Sequence, residues 1–174
     1  MFVFVVRTIY IKIENVSILL CNSRYFLIYS LKQFDLEDKI MVFDTSSATV
    51  ELAAEAVGCE PAKIAKTLSF KVDDRCILIV AAGDAKIDNK KYKSVFHTKA
   101  KMLAFEEVEA MTGHAVGGVC PFGVKEGITV YLDESLKRFE TVYPACGSSN
   151  SAVELTLPEL ERTSGCKAWV DVCK

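Results

Sequence analysis

Twelve residues, Thr112-Gly-His-Ala-Val-Gly-Gly-Val-Cys-Pro-Phe-Gly123, hold four of the chain's nine glycines and one of its two histidines. Glycine tolerates positive φ and lets another group come close to the main chain, so such a cluster marks a bent, ligand-facing segment. Val116, Val119 and Phe122 break up the glycines, which separates the stretch from a flexible linker. It reads as a short strand and turn whose N–H groups, at Gly117 and Gly118, face a pocket. A tight turn packed for its own sake has the same composition. Lys66 stands between apolar Ile64-Ala65 and Leu68, and two hydroxyl-rich loops carry Ser46, Ser47 and Thr49 in one and Ser148, Ser149 and Asn150 in the other. Main-chain donors, one ammonium and several hydroxyls can hold a carbonyl oxygen and a phosphate or ribose without a protein nucleophile. An amide aimed at a developing oxyanion contributes about 3 kcal/mol in favourable cases.

Other chemistries find less support. The glycine stretch is not GxGxxG, and neither GxxxxGK[ST] nor GxSxG occurs. Cys120 and His114 could form an activated thiol pair, against which stands a buried, inert cysteine. His97 and His114 lie far apart and no CxxC pair accompanies them, so a metal site lacks ligands and none is expected. No cofactor is expected either. Seven cysteines, an odd set, argue for a reducing cytoplasm rather than a disulfide framework. A formal charge of −2 excludes a binder held to nucleic acid by bulk charge but allows a local basic face. Residues 86–101 supply one candidate, six lysines against Asp88: a solvated loop, or a strip on which phosphates land.

The elements that must position these groups follow from periodicity. The 174 residues suit one domain with a proper core. Residues 1–30 are expected to be an N-terminal extension, with strand-like alternation at Ile9, Ile11 and Ile13. Arg7, Lys12, Glu14 and Arg24 interrupt its apolar runs before the roughly 18 to 20 residues of a membrane span. Within 31–174, Met41 to Phe43 predicts a strand and Thr49 a cap. Val50, Ala53, Ala54 and Val57 predict a helix stopped by Gly58. Pro61 predicts a second short helix through Ala65, with Lys66 at its junction with a strand opening at Thr67. The run from Arg75 to Ala82 predicts a strand buried on both faces, and Phe105 to Met111 a helix closed by Gly113. Further strands are expected at Ile128–Leu132, over Val153, Leu155 and Leu157, and at Trp169–Val172. A helix is expected from Ser135 to Phe139, and a capping box at Thr156 and Glu159. The sum is a mixed α+β domain, a strongly curved, barrel-like mixed sheet with short flanking helices.

Three segments together carry a resemblance: Ile64-Ala-Lys66-Thr-Leu68, Thr112 to Gly123, and Cys146-Gly-Ser-Ser-Asn-Ser-Ala-Val-Glu-Leu155. Residues 31–174 resemble the YbaK/prolyl-tRNA-synthetase-associated family of aminoacyl-tRNA editing domains. The resemblance implies hydrolysis of the ester joining a wrong amino acid to a tRNA 3′ end, without metal or cofactor. It implies that Lys66 binds or orients that end and that the amides of Gly117 and Gly118 hold the aminoacyl carbonyl. Ser46, Ser47, Thr49, Thr67, His114, Cys120, Pro121, Phe122, Gly147, Ser148, Ser149 and Asn150 would line the rest of the substrate site. Prolyl-tRNA synthetase is the partner it suggests. The amino acid implied is a small one such as cysteine or alanine on tRNA(Pro). One position departs: cysteine-directed members carry aspartate where this chain has Ala152, which weakens the cysteine assignment and leaves alanine or another small residue open. A module that binds tRNA ends or a synthetase without hydrolysis, and a cysteine-dependent thioester hydrolase, are the alternatives.

Overall fold

A computed structural model describes Leu27 and residues 30–174. The predicted alternation at Ile9 to Ile13 lies outside the described residues. Leu27, on the near side of the expected 30/31 boundary, is fully buried in the main core beside Leu31.

Among the described residues eight strands form two sheets. The larger runs β7 (Leu155–Thr156), β5 (Thr141–Pro144), β2 (Ile64–Val72), β3 (Arg75–Ala82), β4 (Thr129–Asp133), β8 (Ala168–Val170), and curls into a half-barrel. The smaller pairs β1 (Ile40–Val42) with β6 (Ser151–Val153), and an Ala145–Ala152 bridge joins it to the end of β5. β3 is the central strand, antiparallel to β2 and parallel to β4, with residues 78–82 fully buried as its unbroken apolar run predicts.

Among the described residues, 30–32 are helical and four further helices flank the sheets: α1 (Val50–Val57), α2 (Asn89–Phe96), α3 (Phe105–Thr112) and α4 (Leu157–Ser164). Their ends are where local chemistry puts them. The Thr49 side chain accepts from Leu52 N, and Gly58 closes α1 at φ 78°. Thr156 and Glu159 make the reciprocal box at α4.

Three expectations are corrected. Pro61 starts a single 3₁₀ turn, Pro61–Lys63, and β2 already begins at Ile64, because that residue and Ala65 pair with Tyr143 and Pro144. Lys66 therefore sits inside a nine-residue strand rather than at a helix-to-strand junction. The lysine-rich stretch is a loop only at its ends: Asp88 caps α2 through Lys90 N and Lys91 N and puts Lys90, Lys91 and Lys93 on a helix, while Lys86, Lys99 and Lys101 stay in loop. Tyr92 anchors that helix, its ring 5.1 Å from Phe70 and 4.7 Å from Phe96. Lastly, Leu157 opens α4 instead of ending a strand, since the box at Thr156 starts the helix there.

Candidate functional site

The site grows from a gap along one edge of β2. β5 pairs with β2 only at Ile64 and Ala65. Farther along, residues 101–103 return to the same edge, with Lys71 N on Lys101 O at 2.8 Å and Leu103 N on Ser69 O at 3.1 Å. Between these contacts no described residue pairs with the edge. Alternate residues of an antiparallel strand turn their N–H and C=O the same way. Ser69 and Lys71 use that side for 101–103, so Thr67 points its main-chain donor and acceptor into the gap. The Thr67 Oγ1 is also sealed from solvent without a hydrogen-bond partner.

A cleft of about 340 Å³ occupies this gap. Lys66, Thr67 and Ser69 form its floor, Ser47 to Val50 one wall, Val116, Gly117 and Val119 another, and Tyr143, Ala145 and Ala152 close it. The first wall is the start of α1. Thr49 satisfies Leu52 N and Ala53 N, while the first-turn amides of Val50 and Glu51 have no intrahelical acceptor. The positive end of that helix thus faces the cleft.

The glycine segment is a chain of turns, not a strand. Its two central glycines differ. Gly118 donates its N–H to Ala115 O at 3.0 Å, so this amide closes a turn and is not a free donor, contrary to expectation. Gly117, at φ 86°, lines the cleft, and its N–H has no acceptor among the described residues. A side chain there would meet Ala48 Cβ at 2.9 Å, so glycine is what lets the turn seat against the loop before α1.

Lys66 lines the cleft, but its ammonium reaches across the end of β3. Nζ donates to Gly83 O at 2.8 Å and to Ala85 O. An ammonium has three donors, so one remains. Burial is the main influence on its pKa and lowers it from the usual lysine value, opposed by Cys173 and Asp84 nearby.

Of the remaining predicted residues, Ser47 and Thr49 line the cleft, whereas His114, Cys120, Pro121 and Phe122 lie behind the glycine turns. His114 and Cys120 do converge, at 3.8 Å, but not as a catalytic pair. His114 Nε2 lies 3.0 Å from Phe122 O, an acceptor only, so this nitrogen carries the proton and cannot take one from the thiol. Burial pushes the Cys120 thiol up to about 12. Ser46 and Gly147 to Asn150 form a support: Ser47 N donates to Ser149 O at 2.6 Å, Asn150 Nδ2 to Phe43 O at 3.0 Å, and Ser148 Oγ to Asn150 Oδ1 at 2.9 Å. This loop backs Gly118 and fixes the Ser46–Thr49 loop. Sequence reasoning missed Met102, Leu103, Phe105 and Tyr143, which reach the cleft through long-range pairing that no local pattern announces.

Residues 44–163 match the profile of the aminoacyl-tRNA editing domain. The chain belongs to this family. The editing domain is 59% identical over 143 residues to "Uncharacterized protein YwhH" of Bacillus subtilis strain 168, covering 82% of this chain and 91% of that protein. It is 32% identical over 122 residues to the "Putative Cys-tRNA(Pro)/Cys-tRNA(Cys) deacylase EbsC" of Enterococcus faecalis, covering 67% and 73%. Against the "Proline--tRNA ligase" of Geobacillus sp. strain WCH70 it is 34% identical but spans only 18% of that enzyme's length. Among solved structures, a "putative trans-editing enzyme for prolyl tRNA synthetase" superposes with a TM-score of 0.78 at 28% identity, over 89% of this chain and 99% of that one. Among the described residues no helix is long and apolar enough to cross a membrane.

Proposed function

We propose that this editing domain is an aminoacyl-tRNA deacylase, cleaving the ester between a small amino acid, such as cysteine or alanine, and the 3′-terminal ribose of a mischarged tRNA. The observation that carries the reading is the convergence of Lys66, Thr67 and Gly117 on one cleft, from segments about fifty residues apart in sequence. The name of the Enterococcus relative supports the reaction, and the ligases it resembles support a tRNA(Pro) context.

In this mechanism the aminoacyl group lies against the bare edge of β2, its carbonyl oxygen at the Gly117 N–H. Water attacks the ester carbon, and the oxyanion that develops is held by that amide with the positive end of α1 behind it. The tetrahedral intermediate collapses, the C–O bond to the ribose breaks, and the ribose oxygen takes up a proton. Substrate groups near the ester serve the attacking water, since Cys120 is walled off from the cleft and keeps its proton. The remaining Lys66 donor is available to the tRNA end. Small walls at Ala53, Ala65, Ala145 and Ala152 suit a small side chain, and Ala152 supplies no carboxylate to select one.

The test is a deacylation panel on the full chain with Cys-, Ala-, Ser- and Pro-charged tRNA. Turnover above the uncatalysed rate on at least one small amino acid is expected. Binding of every tRNA with only background hydrolysis would leave a non-catalytic recognition module instead.

A further inference from the structure

Six large apolar side chains are conspicuously exposed among the described residues, and three of them, Met102, Phe105 and Val116, line the same cleft. Phe105 is 74% exposed and Met102 56%. Single exposed apolar residues are ordinary, but a group drawn from two separate segments onto one cleft mouth marks a contact surface. Phe105 opens α3, whose buried positions are Val108 and Thr112, so helix packing does not account for its ring.

The chemistry around this mouth indicates what lands there. Lys101 immediately precedes Met102 and Lys99 lies two residues earlier, both exposed. Lys71 is main-chain-bonded to Lys101, and the period of two along β2 puts it on the same face as Thr67 and Ser69, one step farther out. None of these three lysines is in an ion pair with another described residue. Of the nearby acids, Glu107 is folded back onto Ala104 N and Glu106 stays on the exposed side of α3. An aromatic face beside unpaired ammonium groups is what a single-stranded nucleotide requires, with a base to stack and a phosphate to neutralise.

The geometry points to Phe105 as a stacking platform for a base of the single-stranded tRNA 3′ end, with Met102 and Val116 flanking it and Lys71, Lys99 and Lys101 taking the adjoining phosphates. This rests on the proposed function for the direction of approach, since an ester held at Gly117 leaves the nucleotide at the cleft mouth. Phe105 positions the substrate and takes no part in bond breaking.

The test uses the full chain and an uncharged tRNA acceptor minihelix ending in CCA, with 2-aminopurine as its terminal base, alongside one truncated to CC. Wild-type protein is expected to bind the complete end more tightly and to quench the 2-aminopurine. Phe105→Ala is expected to weaken binding about 5- to 150-fold, as loss of one stacked base does, and to abolish the quench. Phe105→Trp should keep both, and Val42→Ala, exposed elsewhere, should change neither. In deacylation, Phe105→Ala should raise KM and leave kcat. Unchanged binding, quench and KM in a Phe105→Ala protein that still hydrolyses would overturn the platform and leave the deacylase reading intact. A wild-type protein that binds with the quench but never hydrolyses would do the reverse. Loss of association with a prolyl-tRNA synthetase, at unaltered RNA binding, would overturn it in favour of a protein partner.

Discussion

At the scale of single residues, Gly117 and Gly118 look interchangeable in the chain but have different work. Gly117 lines the cleft and its amide has no acceptor among the described residues, while the Gly118 amide is bonded to Ala115 O. Gly117→Ala places a methyl at 2.9 Å from Ala48 Cβ at a φ of 86°, so the turn must shift and carry the amide off its aim. Loss of one oxyanion donor costs about 100- to 1,000-fold in kcat, and single-turnover deacylation should fall by that order with tRNA binding retained. In Gly118→Ala the added carbon meets main-chain atoms of Ser148 at 2.9 Å, so the expected result is a lower melting temperature. Lys66 needs a paired measurement for a related reason. Removing its ammonium strips Gly83 O and Ala85 O of their donor, which costs about 1 to 3 kcal/mol where such carbonyls are left unsatisfied. Lys66→Ala should therefore lose both thermal stability and kcat/KM. Lost stability with undiminished kcat/KM would restrict the lysine to bracing the end of β3.

At the scale of elements, the cleft depends on where α1 begins. Thr49→Ala removes the acceptor for Leu52 N and should cost about 1 kcal/mol in a urea titration. Thr156→Ala removes the corresponding acceptor for Glu159 N at α4 and should cost a similar amount. On the proposed function only Thr49→Ala should also raise KM, because the first turn of α1 lines the cleft while α4 lies away from it. An equal KM in both variants would take α1 out of substrate binding. These caps were legible in sequence because a cap is a contract among neighbours: hydroxyl, helix, glycine. So was β3, whose residues are apolar on both faces. The start of β2 was not, since Pro61 signals a helix locally and the pairing of Ile64 with Tyr143 joins segments far apart in sequence. Nor was α2, whose five polar positions outweigh Tyr92 and Phe96 in any count although the two rings hold it down. The candidate site divides the same way. Its glycines and lysine announce themselves by type, whereas Met102, Phe105 and Tyr143 enter it only through tertiary pairing.

At the scale of the whole molecule, the cleft wall is tied to the core through one buried histidine. His114 is 2% exposed, and its Nε2–H holds Phe122 O, pinning the far end of the glycine segment to its beginning. Nδ1 is left buried without a partner. A second proton on the ring would have to sit on that nitrogen, where no described residue accepts it. Burial accordingly lowers the His114 pKa below its ordinary 6.5, opposed by the hydrogen bond to Phe122 O and aided by the charge of Lys125. The unfolded chain then binds a proton more readily than the folded one, so this contribution to stability is complete above 6.5 and is lost as pH falls toward the depressed folded value. Wild-type melting temperature should drop between pH 7.5 and 5.5. In His114→Gln, which keeps an N–H for Phe122 O but cannot titrate, it should start lower and drop less over the same interval. Because Gly117 rides on the segment that His114 fastens, deacylation by the wild type should fade with the same midpoint, and identical pH slopes for the two proteins would detach the histidine from both effects.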